Sequence, residues 1–252
     1  MWLPNQEKKA LNIATRHYPR ATVGRRIQAK DRSLIYILEE NRELMLTVTE
    51  AMGGASTRAA RISSSLQKFG IPASVLVDEF EEEGWHFKLE EFNPGIWLTF
   101  RLRGADAGVS RELGALMGKL LHDLQLIPAD EFGYLRRPEI DHVWDFWRDE
   151  HPGQDVPPEY SCVPERLVFV HNDFVPHNVL VPAEGDVRVV GVIDFEWSTV
   201  WDPMWDVGYL QNWIFTDTYE HPQDFWEGFA SGYEFEIDAQ RASMYSSRPF
   251  YP

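Results

Sequence analysis

Between residues 167 and 209, short apolar runs each deliver a polar side chain at one end. Asp173 comes shortly after Leu167-Val168-Phe169-Val170, Asn178 directly precedes Val179-Leu180-Val181, and Asp194 closes Val189-Val190-Gly191-Val192-Ile193. Asp202-Pro203-Met204-Trp205-Asp206 follows at once. Carboxylates and an amide oxygen are hard ligands suited to magnesium, and a carboxylate is also a base able to take a hydroxyl proton. Held rigidly together, Asp173, Asn178 and Asp194 meet the needs of magnesium-assisted phosphoryl transfer. That reaction asks a protein for positioning and charge neutralisation rather than covalent chemistry.

The five-residue step from Asp173 to Asn178 is the spacing of a kinase catalytic loop, in which the Asp is the base and the Asn a metal ligand. Taken singly, each residue has a plainer reading. An Asp at a strand end is commonly a turn former or helix cap, and Asn178 before an apolar run could simply close a loop. His171 reads as a structural hydrogen-bonding residue, because nothing beside it forms a nucleophile-base pair. His177 and Glu196 are ambiguous. The ordered set, however, resembles the aminoglycoside phosphotransferase family, whose signature runs roughly His-Gly-Asp-x-x-x-x-Asn-Val-Leu, Ile-Asp-(Phe/Trp)-(Glu/Gly) and Gly-Asp-Pro-x-x-Asp. His171, Asp173, Asn178, Ile193, Asp194, Asp202, Pro203 and Asp206 occupy those positions. The match is specific over about forty residues and looser over most of the rest. The resemblance implies that Asp173 is the catalytic base, that Asn178 and Asp194 hold Mg2+, and that Asp206 is a structural acid supporting the catalytic loop.

The same resemblance implies an α+β, two-lobed protein-kinase-like fold, with a small N-terminal antiparallel-sheet lobe over residues 1–93 and a larger, mainly helical lobe over residues 94–252. The local patterns agree. Residues 5–17 read as a helix, and 23–29, 33–39 and 43–49 as a three-stranded antiparallel meander. A helix follows over 57–69, then strands at 75–78 and 85–91, with the acidic run 79–83 between them read as a solvated turn. Residues 87–95 resemble the family's strand and linker ending in Pro-Gly, which places the nucleotide's adenine edge against main-chain atoms of Glu90, Glu91 and Phe92. Leu113, Leu116, Met117, Leu120, Leu121 and Leu124 keep a helical rhythm from about residue 110, with His122 read as structural. Pro138 opens a second helix whose Trp144 and Trp147 read as core before pocket, and a loop runs over 152–164. Asp202 and Pro203 mark the start of another helix, with Trp205, Tyr209, Leu210 and Trp213 on its buried side. A last helix is expected over 222–233, offering Asp224, Glu227 and Glu234 as acids for a substrate, and the tail 239–252 reads as poorly structured.

Two departures stand out. In the family the third strand carries a Lys or Arg that grips the nucleotide phosphates, but the aligned residue here is Thr47, and residues 43–53 contain no basic residue. The next helix lacks the Glu that would pair with that Lys, so both halves of the ion pair are missing together, as the cost of an unpaired buried charge demands. Arg58, Arg61, Arg25, Arg26 and Lys30 are available cations, though each also reads as an ordinary solvated charge. No Gly-x-Gly-x-x-Gly loop is present; Gly24 stands alone.

Composition narrows the partners. A net charge of −16 over 252 residues argues against nucleic acid, whose phosphates need a basic face, and favours cationic ligands. The single cysteine, Cys162, precludes an internal disulfide and suits a reducing cytoplasm. No leader is visible, and the apolar runs are too short to cross a bilayer. The expected activity is transfer of the γ-phosphoryl of ATP or GTP to a hydroxyl of a small, cationic molecule such as an aminoglycoside. A non-catalytic kinase-like binding or regulatory module is the alternative that the missing Lys-Glu pair raises. A metal-dependent hydrolase built on Asp173, Asp194 and His171 is the third reading, without a His-x-x-x-His pattern to support it.

Overall fold

A computed structural model describes residues 4–30, 33–39, 43–50, 55–91, 93–133, 135, 164, 166–195 and 197–246. The helix expected from Pro138, the loop over most of 152–164, Cys162, Phe92, Glu196 and the end of the tail lie outside these residues. The chain divides into two compact units, Met1–Ser64 with Ala73–Pro94, and Ser65–Pro72 with Gly95–Pro252. Among the described residues no helix is long and apolar enough to cross a membrane.

The first unit is built on a five-stranded antiparallel sheet in the order β1-β2-β3-β5-β4, formed by β1 (Thr22–Lys30), β2 (Ser33–Glu39), β3 (Glu43–Glu50), β4 (Leu76–Glu82) and β5 (Trp85–Glu91). Side chains alternate across each strand, and the consequence is plain in β3 and β5. Leu44, Leu46, Val48, Trp85, Phe87 and Leu89 gather on one face, where Ala10, Ile13 and Ala14 of α1 (Pro4–His17) close a buried core. The i, i+3, i+4 spacing of those three helix residues is what fits them to the sheet. The opposite face carries Met45, Thr47 and Thr49 against Glu90, Lys88 and His86, directly opposed in register. A second helix, α2 (Ala55–Lys68), contains no acid.

The acidic run does not form a turn. β4 continues through Glu82, and the reversal falls at Glu83 and Gly84, both at positive φ (54° and 79°). Partners on neighbouring elements explain the difference: Phe80 stacks on Phe87 with ring centroids 4.6 Å apart, while Glu79 bonds His86 at 2.7 Å and Glu82 takes Arg16 and His17 of α1 at 2.5 and 2.6 Å. Glu79, Glu82 and Glu83 each face a basic side chain, so the charge run is compatible with a strand.

In the second unit, β6 (Ile96–Trp97), β8 (Val179–Val181) and β9 (Gly191–Val192) form one small sheet, and β7 (Val168–Val170) pairs with β10 (Thr199–Trp201). Around them lie α3 (Leu98–Leu102), α4 (Ala107–Leu126), α5 (Met204–Thr216), α6 (Pro222–Gly232) and α7 (Ala239–Met244). The Asp106 side chain caps α4 by accepting the Val109 amide at 2.9 Å. Helices α4 and α6 meet through glycines on both sides. A Cβ on Gly114 would lie 1.9 Å from the Phe225 carbonyl oxygen, and one on Gly228 would lie 2.0 Å from that of Arg111. Backbone cannot yield as a flexible side chain can, so Gly114→Ala must separate the helices. It is expected to cost about 3 kcal/mol, read from the urea midpoint; an unchanged midpoint would contradict the close approach.

Asp224 and Glu227 are both paired, since Arg111 of α4 bonds them at 3.0 and 2.7 Å. One further expectation is corrected. The tail is structured as far as Ser246. Asp238 caps α7 through the Arg241 amide at 3.0 Å, and the Arg241 guanidinium and the Tyr245 hydroxyl both bond Asp202, whose carboxylate is buried. The periodicity of six residues was too short to reveal this helix. Its anchor, a buried acid at Asp202, lies 39 residues earlier.

Candidate active site

The loop between β7 and β8 carries Asp173 and Asn178, and the chain leaving β9 carries Asp194. β7 is buried along its whole length, and its residues Val168, Phe169 and Val170 are all apolar. After Val175 the chain makes one 3-10 turn, Pro176–Asn178, with proline at its start, where a missing N–H costs nothing. That turn brings the Asn178 side chain back on Asp173. Its Nδ2 donates to the Asp173 backbone oxygen and to carboxylate Oδ2, both at 2.8 Å. With the nitrogen so engaged, the amide oxygen is what Asn178 has to offer a cation.

Asp194 is brought to the same corner by three links. β8 pairs with β9 through Val179 and Val192, the Ile193 amide donates to the Asn178 carbonyl at 3.0 Å, and His171 Nε2 lies 3.0 Å from the Ile193 carbonyl. The last contact requires the Nε2–H tautomer, because a carbonyl only accepts. The ring is fully buried among Phe174 and Phe195. Burial holds the imidazole below its ordinary pKa, while the Asp173 and Asp194 carboxylates pull the other way. His171 is thus a neutral latch between the two acidic loops, in line with a structural role. Its Nδ1 has no hydrogen-bond partner among the described residues.

Two residues on these loops take left-handed backbone, Asn172 (φ 69°) and Asp194 (φ 70°). Asn and Asp are the side-chain-bearing residues that tolerate this region best. At 172 the resemblance expects glycine. Asn172 meets the same backbone demand and adds side-chain bonds, donating to the Trp197 carbonyl at 3.1 Å and accepting from Trp205 Nε1 at 2.8 Å. Sequence reasoning missed this role, although a small polar residue in a glycine position was its signal.

Asp206 lies beneath the loop, in the first turn of α5, and is completely buried. Its two oxygens accept the backbone amides of His171 (2.8 Å) and Asn172 (2.9 Å). Desolvation raises its carboxyl to about 7, and the two amide bonds act against that rise. The start of α5 is itself fixed. Asp202 Oδ1 accepts the Met204 amide at 2.8 Å, and Gln125 of α4 donates to the Pro203 carbonyl at 2.9 Å while accepting the Tyr233 hydroxyl at 2.6 Å. Next to Asn178, the His177 ring stands edge-on to Trp213 at 4.7 Å and tilted to Trp97 at 6.4 Å.

The nucleotide-edge residues belong to the other unit. Glu90 is buried and its carboxylate lies 3.1 Å from Lys88 Nζ, and the Glu91 amide donates to the Val75 carbonyl at 2.9 Å. Among the cations available for phosphate, the side chains of Arg25, Arg26, Lys30 and Arg58 lie outside the described residues. Among the described residues, no group of three His, Cys, Asp or Glu side chains is placed to hold a metal ion. The oxygens of Asn178 and Asp194 suit a different case, a magnesium that keeps several waters and shares its coordination with phosphates.

An antiparallel sheet unit followed by a mainly helical unit, with a strand-flanked Asp-x4-Asn loop and a following Asp, defines the protein-kinase-like fold of small-molecule phosphotransferases. Residues 35–243 match the phosphotransferase enzyme family, and the chain belongs to that family. Among solved structures, it is similar to aminoglycoside-3'-phosphotransferase of type VIII, with 18% identity, a TM-score of 0.70, and coverage of 95% of this chain and 96% of that one. It is also similar to aminoglycoside phosphotransferase APH(3'')-Id from Streptomyces rimosus in complex with ADP and streptomycin (17% identity, TM-score 0.67, 94% and 95% covered). A third is macrolide 2'-phosphotransferase MphH from Brachybacterium faecium (17% identity, TM-score 0.63, 94% and 87% covered). Among curated proteins, 177 residues are 28% identical to acyl-CoA dehydrogenase family member 10 of Mus musculus; the match spans 62% of this chain but only 16% of that protein.

Proposed function

We propose that this chain transfers the γ-phosphoryl of ATP or GTP to a hydroxyl of a small, cationic acceptor such as an aminoglycoside. The observation that carries the proposal is the pairing of Asp173 with Asn178 at 2.8 Å, with Asp194 latched to the same loop through Ile193 and His171. Asp173 orients the acceptor hydroxyl and takes its proton. Asn178 keeps that carboxylate in one rotamer by bonding its Oδ2. Asn178 and Asp194 are the residues that would hold Mg2+, which when bound supplies charge neutralisation to the phosphates. The adenine edge falls to the main chain of residues 90–92, where the Glu91 amide is already given to the Val75 carbonyl. The names of the similar structures, aminoglycoside and macrolide phosphotransferases, support an acceptor of that class. The net charge of −16 supports a cationic one.

Thr47, in the place of a phosphate-gripping lysine, favours a second reading, a kinase-like module that binds without transferring. Calorimetric titration with Mg-ATP and Mg-GTP, followed by label transfer from each to a panel of amino-sugars and amino-alcohols, separates the two. The enzyme reading expects nucleotide binding and a labelled product. Binding without transfer or hydrolysis favours the module, and no binding at millimolar nucleotide defeats the enzyme.

A further inference from the structure

Kinase folds hold nucleotide phosphates with a lysine on the third strand, itself oriented by a glutamate. β3 here has Thr47 instead, and α2 offers no acid. The sheet register supplies what the linear sequence hides. Thr47 is directly opposed by Lys88 on β5, and opposed residues of an antiparallel pair share a face with Cβ atoms about 5 Å apart. A lysine side chain spans more than that separation, so a cation carried at position 88 serves the same part of the face as one carried at 47.

Lys88 is not an ordinary solvated charge. Its side chain is 18% exposed and that of Glu90 10%, and Nζ stands 3.1 Å from Oε2. A largely buried lysine-glutamate pair is expensive to desolvate, and apolar side chains would serve packing as well or better. Its face is also not the core face; the apolar cluster with α1 uses Phe87 and Leu89, the intervening residues of the same strand. Cation and orienting acid are thus both present, on β5 rather than on β3 and α2.

We infer that Lys88, oriented by Glu90, is the phosphate-contacting cation for a nucleoside triphosphate and takes over, one strand away, the position Thr47 leaves without charge. The inference rests on the nucleotide-binding reading above. Its ligand is the triphosphate, not the base, and the test uses that distinction. Calorimetry on the full chain measures the affinity of Mg-ATP and of adenosine. Lys88→Gln is expected to weaken Mg-ATP binding roughly tenfold to a hundredfold, the loss of a charge-assisted contact, and to leave adenosine affinity unchanged. Adding Thr47→Lys to Lys88→Gln is expected to restore most of the loss. Because Lys88→Gln leaves a buried acid without its cation, Lys88→Met with Glu90→Gln is measured alongside, removing the pair as a unit. The inference is overturned if either folded variant binds Mg-ATP as the wild type does, or if ATP and adenosine affinities fall together with the melting temperature. A wild type that binds neither ligand overturns the nucleotide reading itself; a binding wild type with undiminished variants overturns the lysine alone.

Discussion

Asp173→Asn is expected to slow phosphoryl transfer by roughly 10² to 10⁴-fold, the span of a positioned general base, while leaving the fold and nucleotide affinity intact. The substitution is nearly isosteric, so the contact with the Asn178 side chain loses charge but not shape. The backbone bond from Asn178 to the Asp173 carbonyl at 2.8 Å is untouched. The Asp206 amide contacts, which set the loop's path, are on residues 171 and 172 and do not involve the substituted side chain. Loss of an interaction made only as the hydroxyl gives up its proton lowers kcat and kcat/KM equally. Steady-state kinetics on the acceptor found by the label-transfer panel, with melting temperature and Mg-ATP titration as controls, provide the check. A variant retaining wild-type kcat would remove Asp173 from the chemistry. One losing nucleotide affinity instead would make it a ligand rather than a base. Asp194→Asn distinguishes the roles from the other side, since its deficit should fall on Mg-ATP binding before it falls on the acceptor.

The residues argued to do chemistry were legible because each stands at the end of a short apolar strand, and strand ends are fixed by local pattern. β7, β8 and β9 could be read from runs of valine and leucine, and the polar residues beside them followed. What the linear pattern could not supply was register. Lys88 and Thr47 are 41 positions apart, and nothing but the pairing of β3 with β5 sets them opposite each other. The acidic run in β4 failed for a related reason, because its partners Arg16, His17 and His86 lie on other elements. The glycine seam between α4 and α6 was equally hidden. Gly114 and Gly118 interrupt the apolar face of α4, and only the carbonyl oxygens of Phe225 and Phe229, 1.9 and 2.1 Å from where a Cβ would stand, explain why no larger residue is found there. α7 was missed because six residues carry too little periodicity, and its stability comes from the buried Asp202.

Asp206 combines the largest expected stability effect with an unusual pH dependence. Asp206→Ala leaves the amides of His171 and Asn172 buried without acceptors, at about 1–3 kcal/mol each, and frees the loop that aims Asp173. A loss of roughly 2–6 kcal/mol follows, read from urea unfolding. Asp206→Asn behaves differently. The wild-type carboxyl titrates at about 7 in the folded chain and near 4 when unfolded. Between those values the folded state holds a proton that the unfolded state has lost. Its contribution to stability is therefore fully present below pH 4, declines as pH rises toward 7, and is flat above; the whole decline is on the order of 4 kcal/mol. Asparagine at 206 has no charge to desolvate and no such slope. Unfolding free energies of wild type and Asp206→Asn at pH 5 and pH 8 should converge, or cross, toward the higher pH, with the wild type losing ground. Parallel pH profiles would show that the two backbone amides hold Asp206 as a carboxylate throughout, and that its burial is neutralised by the loop it supports.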